Sequence, residues 1–196
     1  YVALSKTPGV TFSANTHTGA QAYERWLDLP PKSIRVVHNA CDKICNKGDD
    51  ADIARWEVFE SSTNEADFTF GGVFRFDQNK RPLMWVEFAA AALVTHPKSR
   101  FILVGDGNLF KATQNYAEEL GIADRCLFVG KSKNVGFWMS KMNALGLFSR
   151  LEGLPNVLIE AQLSGIPVIS TPAGGASEAF IPDRTGFLLG STEQPQ

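Results

Sequence analysis

The stretch 149-SRLEGLPNVLIEAQLSGIPVISTP-172 decides the fold. Its middle, "NVLIEAQL", has the apolar spacing of a buried helix, and "SG" closes it. "IPVIST" follows at once as a short, continuously apolar strand. A helix joined to a buried strand by so short a turn is half of a parallel α/β unit. Two carboxylates interrupt this apolar stretch. Glu152 precedes the helix and Glu160 lies inside it. Burying unpaired carboxylates is costly, so their position asks for a partner.

The same alternation continues on both sides. Strand-like runs are "FTFGGVF" (68–74), "RFILVG" (100–105), "CLFVG" (126–130), "ALGLFS" (144–149), "IPVIST" (166–171) and "GFLLG" (186–190). Between them lie helical patterns at 83–96 after Pro82, and at 108–120, 135–142, 156–163 and 176–180. Pro82 suits a first helical turn. Leu109, Ala112, Tyr116 and Leu120 share a helical face that Gly121 stops. Six strands alternating with five helices predict a doubly wound, Rossmann-like parallel α/β sheet over 68–196. Residues 1–67 read as a linker and domain edge, with a weak helix in "GAQAYERWLDL", a short strand in "SIRVVHN" and a further helix near Ile53–Glu60. Both ends of the chain read as cut from something longer.

Composition excludes several classes. The 196 residues are 44% hydrophobic and 20% charged, with a net charge of −2 and no block of like charge. No nucleic-acid or polybasic membrane surface is expected. The longest apolar run, "FAAAALV", is too short to cross a bilayer, and no signal-peptide pattern opens the chain. The three cysteines lack framework spacing and point to a reducing, cytoplasmic setting. Cys41 and Cys45 could clip a metal only with two further ligands, and His17, His38 and His96 offer no matching pair. Plain thiols and no metal are the expectation.

In a doubly wound sheet, ligands bind beyond the carboxyl ends of the strands. Those loops hold Arg75 and Lys80, then "GDGN" with Gly105, "GKSKN" with Gly130 and Lys131, "SRLEGLPN", and "TPAGGASE". "GDGN" lacks the third glycine of a dinucleotide fingerprint, so its glycines can equally serve only a tight turn. Behind Pro155, the amides of Asn156, Val157 and Leu158 would point at whatever precedes the helix, a setting that attracts phosphate. Glu160, about 7 Å further along the axis, could accept from vicinal ribose hydroxyls. Glu152 and its neighbours Gly153 and Leu154 would face a sugar beyond the phosphates. The alternative is that Glu160 turns to solvent and Glu152 is a loop charge. Arg75 and Lys80 are either solvated cations or a diphosphate clamp. Glu178 could cap a helix, but a surface position is favoured.

Taken together, "FRFDQNK", "ILVGDGN", "LFVGKS", "FSRLEGLPNVLIEAQLSGIPVISTPAGGASE" and "TGFLL" resemble the C-terminal nucleotide-sugar-binding domain of retaining GT-B glycosyltransferases of family 4. Glu152 and Glu160 match that family's E-x7-E pair, and "VVHNACD" is similar to its strand ending in Asn-Gly-Val-Asp. Phe74 departs from the usual glycine before Arg75. The resemblance implies sugar transfer from a UDP-sugar or GDP-sugar to a hydroxyl, without a metal or other cofactor. Arg75, Lys80 and the helix amides would stabilise the leaving diphosphate, Glu160 would bind the ribose, and Glu152 would contact the sugar. The backbone near Gly130 and Lys131 would read the base. It also implies an acceptor-binding domain outside these residues, through which peripheral contact with the cytoplasmic membrane face would be made. An epimerase or phosphorylase on the same fold, or a non-catalytic nucleotide-binding module, remains a rival.

Overall fold

The computed structural model describes residues 1–42 and 44–190. The last residues of the expected donor domain, 191–196, lie outside the described residues. A short helix α1 (Val2–Ser5) leads to β1 (Ser13–Ala14), α2 (His17–Trp26) and β2 (Arg35–Val36). Then come α3 (Asp50–Ser62), β3 (Phe68–Val73), α4 (Pro82–Thr95), β4 (Ser99–Val104) and α5 (Phe110–Glu119). The chain continues through β5 (Cys126–Gly130), α6 (Val135–Met139), β6 (Ala144–Leu147), α7 (Asn156–Leu163), β7 (Val168–Ser170) and β8 (Gly186–Leu188). Two 3-10 turns, Ala123–Arg125 and Gly174–Glu178, complete the described elements.

All six strands expected after residue 67 form one sheet in the order β5-β4-β3-β6-β7-β8, and every pair is parallel. The strands are mostly apolar because helices cover both faces; each of the six residues of β4 is buried, Ser99 and Arg100 among them. On one face, Trp85 and Val86 of α4 are fully buried, and Trp85 Nε1 donates to the Gly146 carbonyl at 3.1 Å. Phe70 stacks on Trp85 with ring centroids 5.4 Å apart, and Phe74 and Phe76 extend the cluster towards α5. An indole buried among rings needs an acceptor for its N–H, and the strand carbonyl supplies it.

Expected and observed boundaries differ where a local constraint intervenes. The strand expected at 166–171 narrows to Val168–Ser170, because Pro167 has no N–H and serves the ladder only through its carbonyl, which accepts from Leu145. Helix α5 ends before Gly121 as expected, at φ +69. Its buried face is Thr113 and Ala117, with Tyr116 half-buried; Ala112 and Leu120 are exposed. The buried face is therefore turned from the expected one by about a fifth of a turn, at 3.6 residues per turn. The helix expected at 176–180 is instead the 3-10 turn Gly174–Glu178.

Residues 1–67 are not uniform. Helix α3 buries Trp56 and Phe59 in the main core, and Arg55 donates to the Phe128 and Val129 carbonyls at 2.5 and 2.7 Å. Its N-cap Asp49 accepts from Asp52 N at 2.9 Å. By contrast β1 and β2 form their own two-stranded parallel sheet, flanked by α2. Such a small sheet is marginal by itself, and its contacts with the loops described next hold it.

Candidate functional site

The strand order reverses between β3 and β6: the chain winds outward through β4 and β5 on one side, and through β7 and β8 on the other. A crevice at such a reversal is where doubly wound sheets bind ligands. The two loops that leave this point are 74–81, with Arg75 and Lys80, and 148–155, with Glu152, Gly153 and Leu154. An apolar recess of about 540 Å³ lies at the opposite, amino ends of the strands, among Phe68, Phe70, Phe88 and Phe101. It gathers no set of cations and amides comparable to that at the switch point.

The two loops are locked together by Asn79. Its Nδ2 donates to the Leu151 carbonyl at 2.9 Å, its Oδ1 accepts from Leu151 N at 3.0 Å, and its own carbonyl accepts from Arg150 N at 2.8 Å. Asp77 Oδ1 shapes the first loop by accepting from Lys80 N at 3.0 Å. Lys80 Nζ is then hydrogen-bonded and ion-paired to Glu152 Oε1, with both side chains mostly buried. Arg75 is exposed, and its guanidinium makes no hydrogen bond or ion pair among the described residues. The two cations therefore differ in kind: Lys80 is held by a carboxylate, and Arg75 faces solvent.

The Gly105 loop is a supporting layer. Gly105 has φ +128, and a Cβ there would stand 1.9 Å from the Phe74 carbonyl oxygen. Phe74 N and Phe76 N donate to the Val104 and Asp106 carbonyls, both at 3.0 Å. Glycine is needed so that the 74–76 backbone can lie directly on the 105–107 backbone. The close approach that "GDGN" permits in this structure is to protein. Gly130, at φ +79, accepts from Gly105 N at 2.9 Å, and Lys131 beyond it is exposed.

Pro155 is buried and stands at the N-cap, one position before the helical turn expected for it. Asn156, Val157 and Leu158 are the first residues of α7. Leu158 N is taken by the Pro155 carbonyl at 3.1 Å. The amides of Asn156 and Val157 find no acceptor among the described residues, and no side chain caps the helix. These are the donors a helix start leaves open. Asn39 reaches in from the segment after β2, donating to Asn156 Oδ1 at 2.6 Å and to the Leu154 carbonyl at 3.2 Å. Glu160 is half-buried with no hydrogen bond or ion pair to its carboxylate among the described residues, and burial pushes its carboxyl above the ordinary 4.5. Cys41 lies within its field; burial first, then Glu160 and Asp42, raise the thiol.

One expectation is corrected. Glu178 is not a surface charge. Its carboxylate accepts from His17 N at 2.7 Å, from Thr18 N at 2.8 Å and from Thr18 Oγ1 at 2.7 Å, and so caps α2 from across the chain. Burial opposes its ionisation, but these hydrogen bonds and the nearby His17 outweigh it and lower its carboxyl. The rings of His17 and His38, distant in sequence, meet with centroids 5.5 Å apart.

Beside Glu178, the turn after β7 closes the floor of the crevice. Gly174 has φ +55, and a Cβ there would stand 2.2 Å from the Glu152 carbonyl oxygen. Gly175 N donates to that same oxygen at 3.2 Å, and Thr171 Oγ1 donates to the Ser149 carbonyl at 2.7 Å. Asn79, Asp77, Asn39 and Glu178 were not singled out as site residues from the sequence. Asn79 and Asp77 sit between the two selected cations, where a polar side chain in a turn is a usual local signal. Asn39 and Glu178 act across 117 and 161 residues, and no local pattern marks such a bond.

Comparison with known proteins agrees with this geometry. The family model described as "Glycosyl transferases group 1" matches residues 55–196. The Vi polysaccharide biosynthesis protein VipC/TviE of Salmonella typhi is 50% identical over 190 residues, covering 96% of this chain and 33% of that protein. The N-acetyl-alpha-D-glucosaminyl L-malate synthase of Bacillus anthracis is 32% identical over 163 residues, covering 83% of this chain and 42% of that protein. Alr3699/HepE of Anabaena, solved in complex with UDP, shares the fold with a TM-score of 0.76 at 24% identity, over 91% of this chain and 49% of that one. The chain thus spans a third to a half of the length of these relatives. Among the described residues no helix is long and apolar enough to cross a membrane. With a GT-B type six-stranded parallel sheet and a family match over most of its length, the chain belongs to the group 1 glycosyltransferases.

Proposed function

We propose that this chain is the donor-binding part of a retaining glycosyltransferase of family 4, taking a nucleoside-diphosphate sugar and serving transfer to a hydroxyl acceptor in polysaccharide or glycolipid synthesis. UDP is the first choice of nucleotide and GDP the second. The observation that carries the proposal is the convergence at the strand reversal. Two amides at the start of α7 that find no acceptor among the described residues, an exposed Arg75 and the Lys80–Glu152 pair all belong to the two loops that leave that reversal or to the helix that follows one of them. As the bond from the sugar to the diphosphate breaks, negative charge grows on the leaving group. Arg75, Lys80 and the Asn156 and Val157 amides stabilise that charge without calling on a metal. Glu160, half-buried and without a partner among the described residues, takes the ribose hydroxyls. Glu152, held by Lys80, faces the sugar, and the Gly130–Lys131 backbone meets the base.

Residues 68–196 form the donor domain in this proposal, and 1–67 lead into it from an acceptor-binding part that this chain does not include. The complete enzyme works in the cytoplasm, with peripheral contact at the membrane face through that other part. The test supplies radiolabelled UDP-sugar and candidate acceptors to this chain and to the full-length protein. The chain binds donor but does not transfer, because positioning the acceptor is worth about 7–11 kcal/mol of the barrier. Robust transfer by the chain alone places the acceptor site within it and overturns the division. Interconversion of the UDP-sugar with its epimer, or phosphorolysis, by the full-length protein favours the epimerase or phosphorylase alternatives. Nucleotide binding without turnover by the full-length protein leaves a binding module.

A further inference from the structure

His17, His38 and Glu178 come from three separate parts of the chain: the first residue of α2, the loop after β2, and the end of the 3-10 turn after β7. One ligand atom from each lies within 4.8 Å of the other two. Hydrogen bonds already orient two of these groups. His38 Nδ1 lies 3.1 Å from the Asn15 carbonyl oxygen. A carbonyl can only accept, so Nδ1 holds the proton and Nε2 of the neutral ring presents a lone pair. Metal-bound histidines are commonly fixed in this way. Glu178 Oε1 accepts two hydrogen bonds, from Thr18 N and Oγ1, whereas Oε2 accepts only one, from His17 N. A position on Oε2 therefore stays open. The His17 ring makes no hydrogen bond among the described residues; its contact is the edge-on meeting with His38.

We infer that His17, His38 and Glu178 form a binding site for a divalent transition-metal cation, zinc first, that clasps the segment around β1, α2 and β2 to the loop after β7. Two imidazole nitrogens and one carboxylate oxygen suit Zn²⁺, whereas Mg²⁺ and Ca²⁺ take oxygen donors. Donor atoms around a tetrahedral zinc stand about 3.3 Å apart, so the present spacing has to close by no more than about 1.5 Å. Both histidines are exposed, and the His17 ring, which makes no hydrogen bond among the described residues, can turn to close that distance. Solvent takes the fourth position. The seam beneath the site is already closely packed: a Cβ on Gly175 would stand 2.3 Å from Thr16 Cγ2, and one on Gly153 would stand 3.0 Å from Asn15 Oδ1. The ion fixes this seam and takes no part in sugar transfer, so the site does not depend on the function proposed above.

The test is to titrate the metal-free chain with Zn²⁺ by calorimetry and with Co²⁺ by visible absorption, alongside His17→Gln, His38→Gln and the double variant Cys41→Ser/Cys45→Ser. The wild type takes up one zinc per chain and rises in melting temperature with zinc. Each histidine variant binds at least about tenfold more weakly, since even outer partners of a metal site are worth that much. The cysteine double variant binds as the wild type does. Helix capping by Glu178 uses the main-chain N–H of His17, so His17→Gln keeps it; melting without metal shows that both histidine variants are folded. Zinc affinity equal to that of the wild type in both histidine variants overturns the inference. So does a thiolate-to-cobalt charge-transfer band, or no uptake at 100-fold excess over micromolar protein, about the level where a weak site would still register.

Discussion

Lys80 and Glu152, 72 residues apart in sequence, are joined as a largely buried ion pair across the point where the strand order reverses. Each was expected to meet a different part of the donor. In the structure they meet each other, so the two side chains are set as a unit. Removing either partner leaves the other poorly solvated and uncompensated. Lys80→Ala and Glu152→Ala should each destabilise the chain by about 1–3 kcal/mol, between the ranges for exposed and buried pairs. A double-mutant cycle by urea unfolding should show clear coupling. Additive losses would mean that the pair contributes nothing.

Arg75 provides the contrast. It is exposed and makes no ion pair among the described residues, so Arg75→Ala should change stability by no more than about 0.5 kcal/mol. Under the proposed function it should nevertheless weaken UDP more than uridine, and more strongly at low salt. Calorimetric titration of both ligands checks this; equal losses for the two would remove Arg75 from the diphosphate clamp.

Glu160 sets stability against binding. Its folded carboxyl titrates above the ordinary 4.5 because burial disfavours the charge. The folded state therefore holds this proton more tightly than the unfolded state. The associated stability is fully present below the ordinary value and is lost as pH rises through the folded value. Glu160→Gln should thus melt higher than the wild type at pH 7, with the difference shrinking towards pH 4. It should also weaken UDP by roughly 1.5–3 kcal/mol, the worth of charged hydrogen bonds to a ribose. A variant that melts lower at neutral pH, or titrates UDP as the wild type does, contradicts this account.

Asn79 and Gly105 test the scaffold behind the site. Asn79→Ala removes two reciprocal bonds to Leu151 and leaves backbone groups without those partners, which should cost about 1–3 kcal/mol. Gly105→Ala demands both a rare backbone angle and room for a Cβ 1.9 Å from the Phe74 carbonyl oxygen, and should cost more than Asn79→Ala. Melting curves of both variants check the order. A mild Gly105→Ala would show that the 74–76 backbone can retreat from the 105–107 loop.

The sequence by itself determined the parallel sheet, its six strands and the helix over 156–163. Strands covered on both faces are near-continuously apolar, and helix starts and stops rest on Pro, Gly and local periodicity. It also picked out Arg75, Lys80, Glu152 and Glu160, because each belongs to a loop that such a sheet places at its carboxyl edge or to the helix that follows one. Which of those residues touch was decided only by the tertiary structure. The pairing of Lys80 with Glu152, the Asn79 lock and the cap that Glu178 places on α2 depend on strand order. Strand order is set by how whole layers pack, and no window of neighbouring residues encodes it. The same holds for Gly105, whose glycine answers to a carbonyl 31 positions earlier that only the completed sheet brings against it.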